Sequence, residues 1–309
     1  MHAARSGREV MCALARVAAG SMASDAPGLA DEMESAIKAL LAVMPAYAPP
    51  INVMHLVMSR VDEAMASNAT AAELKAALMS DAEAFRVWCE EAQAKVARHG
   101  AEIIRDGMTV FTFTLSETML CTLREVWAQG RAFKVLVTES RPNNDGLVTA
   151  AELDKVSVPV SVSVDACIGE LVPQADVMMV GAEAIMADGS AVCKVGTYPS
   201  ALVAYAHGLP VYVVVDTLKF YTASMLGLSL KMDCLCRRDV LPPDAPKRAQ
   251  VVGHLFDVTP PDLITGIVTE RGILSPTACT AVMRGVHLSE ILNRKLAAWA
   301  HRDTEPGPR

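Results

Sequence analysis

Three short segments carry the residues that could do chemistry: ESRPNNDG at 139–146, VGAE at 180–183 and KVGTYP at 194–199. In the first, Arg141 can hold a phosphate through two parallel N–H donors. It can equally stand solvated in a turn set by Pro142 and Asn144-Asp145-Gly146, and both readings stay open. In the second, Glu183 places a carboxylate just past an apolar run. There it can act as an acid or base, or bind a sugar hydroxyl. A glutamate favoured by the positive end of a helix explains it as well. In the third, Lys194 supplies charge, Gly196 lets the backbone come close, Thr197 can cap, and Pro199 stands near a helix start. That combination suits a nest of backbone N–H groups around an anion, with a plain helix cap as the alternative. The Gly-x-x-x-x-Gly-Lys phosphate loop is absent.

Other reactive residues are scattered. His55, His99, His207, His254 and His287 are isolated, with no nucleophile paired to them in sequence. The eight cysteines include no CxxC pair, and Cys234 and Cys236 lack the second pair that a zinc site needs. They read as reduced thiols in a cytoplasmic protein. A net charge of −7 and a pI near 5.5 argue against broad nucleic-acid binding, which needs a basic face. The longest apolar run, 209–215, falls far short of the ~20 residues of a membrane span. Residues 1–20, with Arg5, Arg8 and Arg16 against Glu9 alone, read as an amphipathic first helix rather than a transit peptide.

The elements that must position these residues change character near residue 105. Before it, Leu29, Met33, Ile37, Leu40, Leu41 and Met44 form one helical stripe, which Pro45 should end. Pro49 and Pro50 should delay the next helix, expected at 51–66. A long helix follows at 70–104 with Leu74, Leu78, Phe85 and Trp88 inward. After residue 105, apolar runs at 109–113, 134–138, 158–164, 176–180 and 210–215 alternate with helical stretches such as 117–129 and 200–207. The reading is α/β: a helical domain at 1–105, then a doubly wound, Rossmann-like parallel sheet domain at 106–309 with a ligand pocket. A loop-rich excursion is expected at 222–253, and ligands belong at the carboxyl ends of the strands.

In this order, VTESRP (137–142), VGAE (180–183), KVGT (194–197) and FDVTPPDLI (256–264) resemble one superfamily. It comprises the initiation factor 2B alpha/beta/delta family and the related methylthioribose-1-phosphate and ribose-1,5-bisphosphate isomerases. The isomerases use a Cys after the first sheet strand and an Asp after a Gly-Ala pair; here those positions hold Thr114 and Glu183. Their Arg-Pro-x-x-Gln-Gly has Asp145 in the Gln position, and their Asn-Lys is Cys193-Lys194. The VTES, GAE and VDA (164–166) stretches resemble alpha-type chains. The resemblance therefore implies a non-catalytic, regulatory subunit of the guanine-nucleotide exchange factor for initiation factor 2. Such a subunit would be cytoplasmic, form a homodimer through apolar residues of 256–274, join other initiation factor 2B subunits and sense phosphorylated initiation factor 2. On the helical part Arg60, Arg86, Lys95 and Arg98 are candidates for that contact, and a solvated helix face explains each of them equally well. The resemblance implies no cofactor and no metal, no membrane or direct nucleic-acid partner, and a sugar-phosphate or nucleotide ligand held by Arg141, Glu183, Lys194, Gly196 and Thr197. The alternative it leaves is a sugar-phosphate aldose–ketose isomerase of the methylthioribose-1-phosphate or ribose-1,5-bisphosphate type.

Overall fold

The computed structural model describes residues 3–43, 47–228, 230, 232–286, 288–290 and 292–293. Met44, Pro45 and His287, and the end of the expected sheet domain past residue 293, lie outside them. Four helices come first: α1 (Ala3–Gly20), α2 (Ala26–Val43), α3 (Ala48–Ala66) and α4 (Ala71–Ala101). They exist because apolar residues recur at helical spacing. In α1, Val10, Met11, Leu14 and Ala18 are buried; in α2, Leu29, Met33 and Ile37. Leu40 and Leu41 continue the α2 stripe only half-buried. Helix α3 is the core of this unit, with thirteen of its nineteen residues buried. Pro49 and Pro50 do not delay it as expected. They sit inside its first turn, where a missing N–H leaves no hydrogen bond unmade. Helix α4 starts with a capping box: Thr70 N donates to Glu73 Oε2 at 2.8 Å and Glu73 N donates to Thr70 Oγ1 at 3.2 Å.

The compact units divide inside α4, at Cys89/Glu90, with 221–231 and 281–309 grouped with the first. In the second unit the elements run β1 (Thr109–Thr112), α5 (Glu117–Ala128), β2 (Lys134–Thr138), α6 (Asp145–Asp154), β3 (Val160–Ser163), α7 (Ile168–Leu171) and β4 (Val177–Val180). Then come β5 (Ala184–Ile185), β6 (Ala191–Lys194), α8 (Thr197–Ala206), β7 (Val211–Val214), α9 (Arg237–Val240), β8 (Phe256–Thr259), β9 (Gly266–Thr269), β10 (Gly272–Leu274) and α10 (Cys279–Arg284). Seven strands pair in the order β10-β9-β7-β4-β1-β2-β3, all parallel except β10 against β9. Strands β1, β4 and β9 are buried throughout, as strands covered on both faces must be. One apolar cluster ties this sheet to its helices, with Val110, Val135, Val177, Val214 and Val268 meeting Met119, Leu123, Val126 and Leu153.

Two features were not expected. Strands β5, β6 and β8 form a separate antiparallel sheet. And the segment 256–274, expected to offer an apolar dimer surface, gives part of its aliphatic content to the core: Ile264, Ile267 and Val268 are buried. Strand β9 is an inner strand, so its aliphatic residues serve the fold; Val258 and Ile273 alone among the aliphatic residues of β8, β9 and β10 stay well exposed. Among the described residues, no helix is long and apolar enough to cross a membrane.

Candidate functional site

Strand β1 lies between β4 and β2, where the order of the parallel sheet reverses, and such a switch point opens a crevice at the carboxyl ends. The chain leaves β1 through Phe113 and Thr114, and Thr114 has a φ of 63°, a rare conformation for a β-branched residue. Its carbonyl accepts a hydrogen bond from Thr149 Oγ1 at 2.8 Å. Close by, Gly181 approaches Ser116 so tightly that a Cβ would fall 2.3 Å from its hydroxyl oxygen.

The loop after β2 is held by one carboxylate. Asp165 Oδ1 accepts from Thr138 Oγ1 (2.6 Å) and Ser140 N (2.8 Å), and its Oδ2 accepts from Arg141 N (2.7 Å). Ser140 and Asn144 both take left-handed backbone, with φ of 59°. Gly146 makes the return into α6 possible: a Cβ there would lie 1.7 Å from the Thr138 carbonyl oxygen. Arg141 is exposed, its guanidinium reaching the Asp239 carbonyl at 3.4 Å.

The loop after β6 is also held by one carboxylate. Gly196 has a φ of 106° and packs on the Phe113 ring; a Cβ would lie 2.5 Å from it. Gly196 N and Tyr198 N donate to Asp257 Oδ2 at 2.7 and 3.0 Å. The nest of N–H groups expected here thus exists, but the chain's own Asp257 occupies those two. Burial pushes the Asp257 carboxyl up to about 6, although the backbone donors of Tyr198 and Gly196 pull the other way. Its cross-strand neighbour Cys193 is pushed well above the usual thiol range, first by burial and then by the Asp257 and Glu183 carboxylates.

A cavity of about 310 Å³ opens between these loops, lined by Phe113, Arg141, Pro142, Asp165, Val195, Gly196, Leu235 and Val240. Of the five residues singled out in the sequence, Arg141 and Gly196 reach its wall. Lys194 does not: only 6% exposed, it forms an ion pair with Asp145 at 2.9 Å. Thr197 opens α8 as a buried residue and donates its hydroxyl to the Lys194 carbonyl at 2.7 Å. Glu183 is half-buried and keeps Oε2 out of solvent with no hydrogen-bond partner. Lys219, 5% exposed, donates to the Ala182 carbonyl at 2.6 Å, bracing the residue before Glu183. Sequence reasoning passed over Phe113, Leu235 and Val240 as site residues, and took Asp165 and Asp257 only as parts of motifs. The apolar walls carry no polar signature, and the two aspartates act on backbone, which no spacing rule reveals. Among the described residues, no group of three or more His, Cys, Asp or Glu is placed to hold a metal.

The chain is similar to proteins of two kinds. Ribose 1,5-bisphosphate isomerase of Thermococcus kodakarensis is 31% identical over 308 residues, covering 98% of this chain and 92% of the relative. Translation initiation factor eIF2B subunit alpha of Dictyostelium discoideum is 34% identical over 195 residues, 60% of this chain and 61% of that one. The crystal structure of translation initiation factor eIF-2B from Pyrococcus horikoshii matches with a TM-score of 0.73 at 29% identity, over 89% of this chain and 92% of that one. The expectation of a subunit without enzymatic activity is overturned by the full-length likeness to an isomerase. It rested on Thr114 and Glu183, which stand where the isomerases carry Cys and Asp, and the full-length likeness outweighs those two departures. With the initiation factor 2 subunit family matching residues 2–276, the chain belongs to that family.

Proposed function

We propose that this chain is an aldose–ketose isomerase acting on a sugar phosphate, of the kind its relative in Thermococcus kodakarensis is named for. The observation that carries this reading is identity spread over 98% of the chain and 92% of an isomerase. The cavity supports it, with Arg141 on its wall to hold a phosphate, and the segment after β4 supplies the Glu183 carboxylate.

Opening a sugar 1-phosphate ring and moving its carbonyl needs three transfers that balance. The ring oxygen gains a proton as its bond to C1 breaks, the C2 hydroxyl loses one, and the hydrogen on C2 moves to C1. The base at O2 is Glu183, whose Oε2 has no protein donor to compete for it. Asp257, raised to about 6 by burial, is protonated often enough near neutrality to serve as the acid. Gly196 and the Phe113 ring beneath it set the floor that orients the sugar.

The test is turnover of ribose 1,5-bisphosphate and of pentose 1-phosphates to their 2-keto isomers, followed by NMR. Wild-type protein should convert at least one of them, and Glu183→Gln should lower turnover by about 100-fold or more while leaving binding intact. No conversion above a heat-inactivated control would overturn the reading. A second reading, assembly with other subunits in a translation initiation factor complex, draws on the likeness to the Dictyostelium alpha subunit. Co-purification of other initiation factor subunits with the chain from its own cells tests it.

A further inference from the structure

The excursion at 233–255 brings reactive groups of its own to the cavity edge. Cys234 and Cys236 are both exposed and free, and Leu235 between them lines the cavity. Cys234 pairs with His254 in an antiparallel bridge. Leu235 N donates to the Gly253 carbonyl at 3.0 Å on one side of the pair, and Leu255 N to the Asp233 carbonyl at 2.8 Å on the other. Bonds that flank a pair in this way leave its side chains on one face at close approach, with about 4.5 Å between Cα atoms. His254 is exposed as well. Cys236 is extended, with φ of −92° and ψ of 150°, so alternation along the chain turns both thiols to one side and Leu235 to the other. Arg237 fastens the excursion from within, donating to the carbonyls of Ala249, Ala245 and Pro246 at 2.5, 3.2 and 3.0 Å.

We infer that Cys234 and Cys236 form a redox site, a dithiol that exchanges with small-molecule disulfides of the glutathione type and closes to an internal bridge. His254 takes the Cys234 thiol proton, and the thiolate attacks one sulfur of the small disulfide. A mixed disulfide forms on Cys234 and one small thiolate leaves, picking up a proton. The Cys236 thiol then loses its proton, and its sulfur displaces the second small thiolate from Cys234. Two protein thiols are oxidised to one disulfide, and one small disulfide is reduced to two thiols. The effect reaches the cavity through the backbone. At about 3.3 Å per residue an extended chain sets the two Cα atoms about 6.6 Å apart, against about 5.5 to 6 Å in a disulfide. Closing the bridge bends residue 235, drawing its N–H from Gly253 and its side chain from the cavity wall.

Reduced full-length protein incubated with glutathione disulfide tests this, read by mass spectrometry after alkylation and trypsin. The tryptic peptide 232–237 holds Cys234 and Cys236 and no other cysteine. It should emerge two hydrogens lighter and closed to alkylation, and dithiothreitol should reopen it. Cys236→Ser should stop at the mixed disulfide on Cys234, and His254→Asn should slow the first exchange by about 10-fold or more. Cys12, exposed on α1, is the internal control. A peptide that stays fully alkylated after Cys12 has taken up glutathione overturns the inference, as does an unchanged rate in His254→Asn. Hydrogen exchange at the Leu235 amide should quicken on oxidation, and equal protection in both forms would overturn the link to the cavity. On the sugar-phosphate reading above, oxidation should also weaken ribose 1,5-bisphosphate binding by about 10-fold or more, with no change in a Cys234→Ser, Cys236→Ser double variant. Equal affinity in the two forms counts against the link. Failure of the reduced protein to bind the sugar defeats only the sugar-phosphate reading, since the mass and exchange measurements do not use it.

Discussion

The helical unit and the sheet unit both bury polar groups, but His55 in the one and Asp165 and Asp257 in the other meet different surroundings. On α3, Asn52, His55 and Ser59 are buried at spacings of three and four residues, one face of the helix. His55 is fully enclosed, and neither ring nitrogen has a hydrogen-bond partner. In the sheet unit, Asp165 and Asp257 each clamp the backbone of a strand-end loop with two or more donors. Orphaned polarity in a helix bundle is a plain cost. The same desolvation at a strand end holds strained backbone in place and leaves a carboxylate whose proton is available near neutrality.

The sharpest way to break this contrast is at a glycine of the sheet unit. Gly146→Ala would drive a Cβ to 1.7 Å from the Thr138 carbonyl oxygen, and backbone on both sides leaves nothing flexible to yield. The expected loss is about 4 kcal/mol or more, in the range reserved for severe steric faults. Urea midpoints measure it. A loss under about 1 kcal/mol would mean that the loop is not tightly constrained, and the contrast between the units would go with it.

His55 comes next. Burial alone lowers its imidazole from 6.5 to about 4. The unfolded chain therefore takes up a proton near pH 6.5, while the fold resists until about pH 4. Stability is complete above pH 6.5 and falls as pH drops toward 4, by about 3 kcal/mol at 1.36 per pH unit. His55→Leu should remove that dependence, as hydrogen exchange of α3 peptides at pH 7, 5.5 and 4.5 would show. An unchanged slope would place the proton uptake elsewhere.

Why the sequence disclosed some of this and not the rest follows from what each residue does. Leu29, Met33 and Ile37 announce α2 because one face of a helix must be apolar over several turns, and the Val-rich runs announce β1, β2, β4 and β7 for the matching reason. Strands β5 and β10 are only two and three residues long, too short for any period to register, and β6, Ala-Val-Cys-Lys, carries no run of branched residues. Arg141 and Gly196 were legible because a charge or a glycine after an apolar run is unusual. Asp257 was not, since its partners are main-chain N–H groups 59 and 61 residues away. The pairing of Lys194 with Asp145 was hidden as well: 49 positions separate them, one at the end of β6 and the other at the start of α6. Arg60, Arg86 and Lys95, offered in sequence as a basic contact surface, each meet carboxylates of their own unit, Asp81 and Glu63, Glu83, and Glu91.

Asp257 should show the opposite pH dependence to His55. Its carboxyl is raised from 3.8 to about 6, so the fold holds the proton longer than the unfolded chain does. The stabilisation is present below pH 3.8 and is lost as pH rises through 6, by about 2 to 3 kcal/mol. Asp257→Asn should flatten this in the β6–α8 loop. In wild type the two trends oppose each other over the same pH window, so a global melting curve hides both. His55→Leu should unmask the Asp257 slope, making the protein steadily more stable as pH falls from 6.5 to 4. A flat profile in that variant would mean that Asp257 stays charged.

The smallest expected effect lies back in the helical unit. Gly20 ends α1, and a Cβ added there would meet nothing within 4 Å. Its backbone is not among those with positive φ, so alanine can adopt it without strain. The gain from Gly20→Ala then comes from the unfolded chain, which loses the extra freedom that glycine gives it, and from better helix propensity in the last turn. Both act in the same direction, for about 0.5 to 1 kcal/mol in total. Slower hydrogen exchange in α1 peptides, with β-sheet peptides unchanged, is the expected signature. Gly146 and Gly20 thus receive the same methyl group and should answer with opposite signs, because one sits against fixed backbone and the other against open solvent. Destabilisation by Gly20→Ala would show that the end of α1 is as tightly enclosed as the strand-end loops, and that enclosure is not what sets the two units apart.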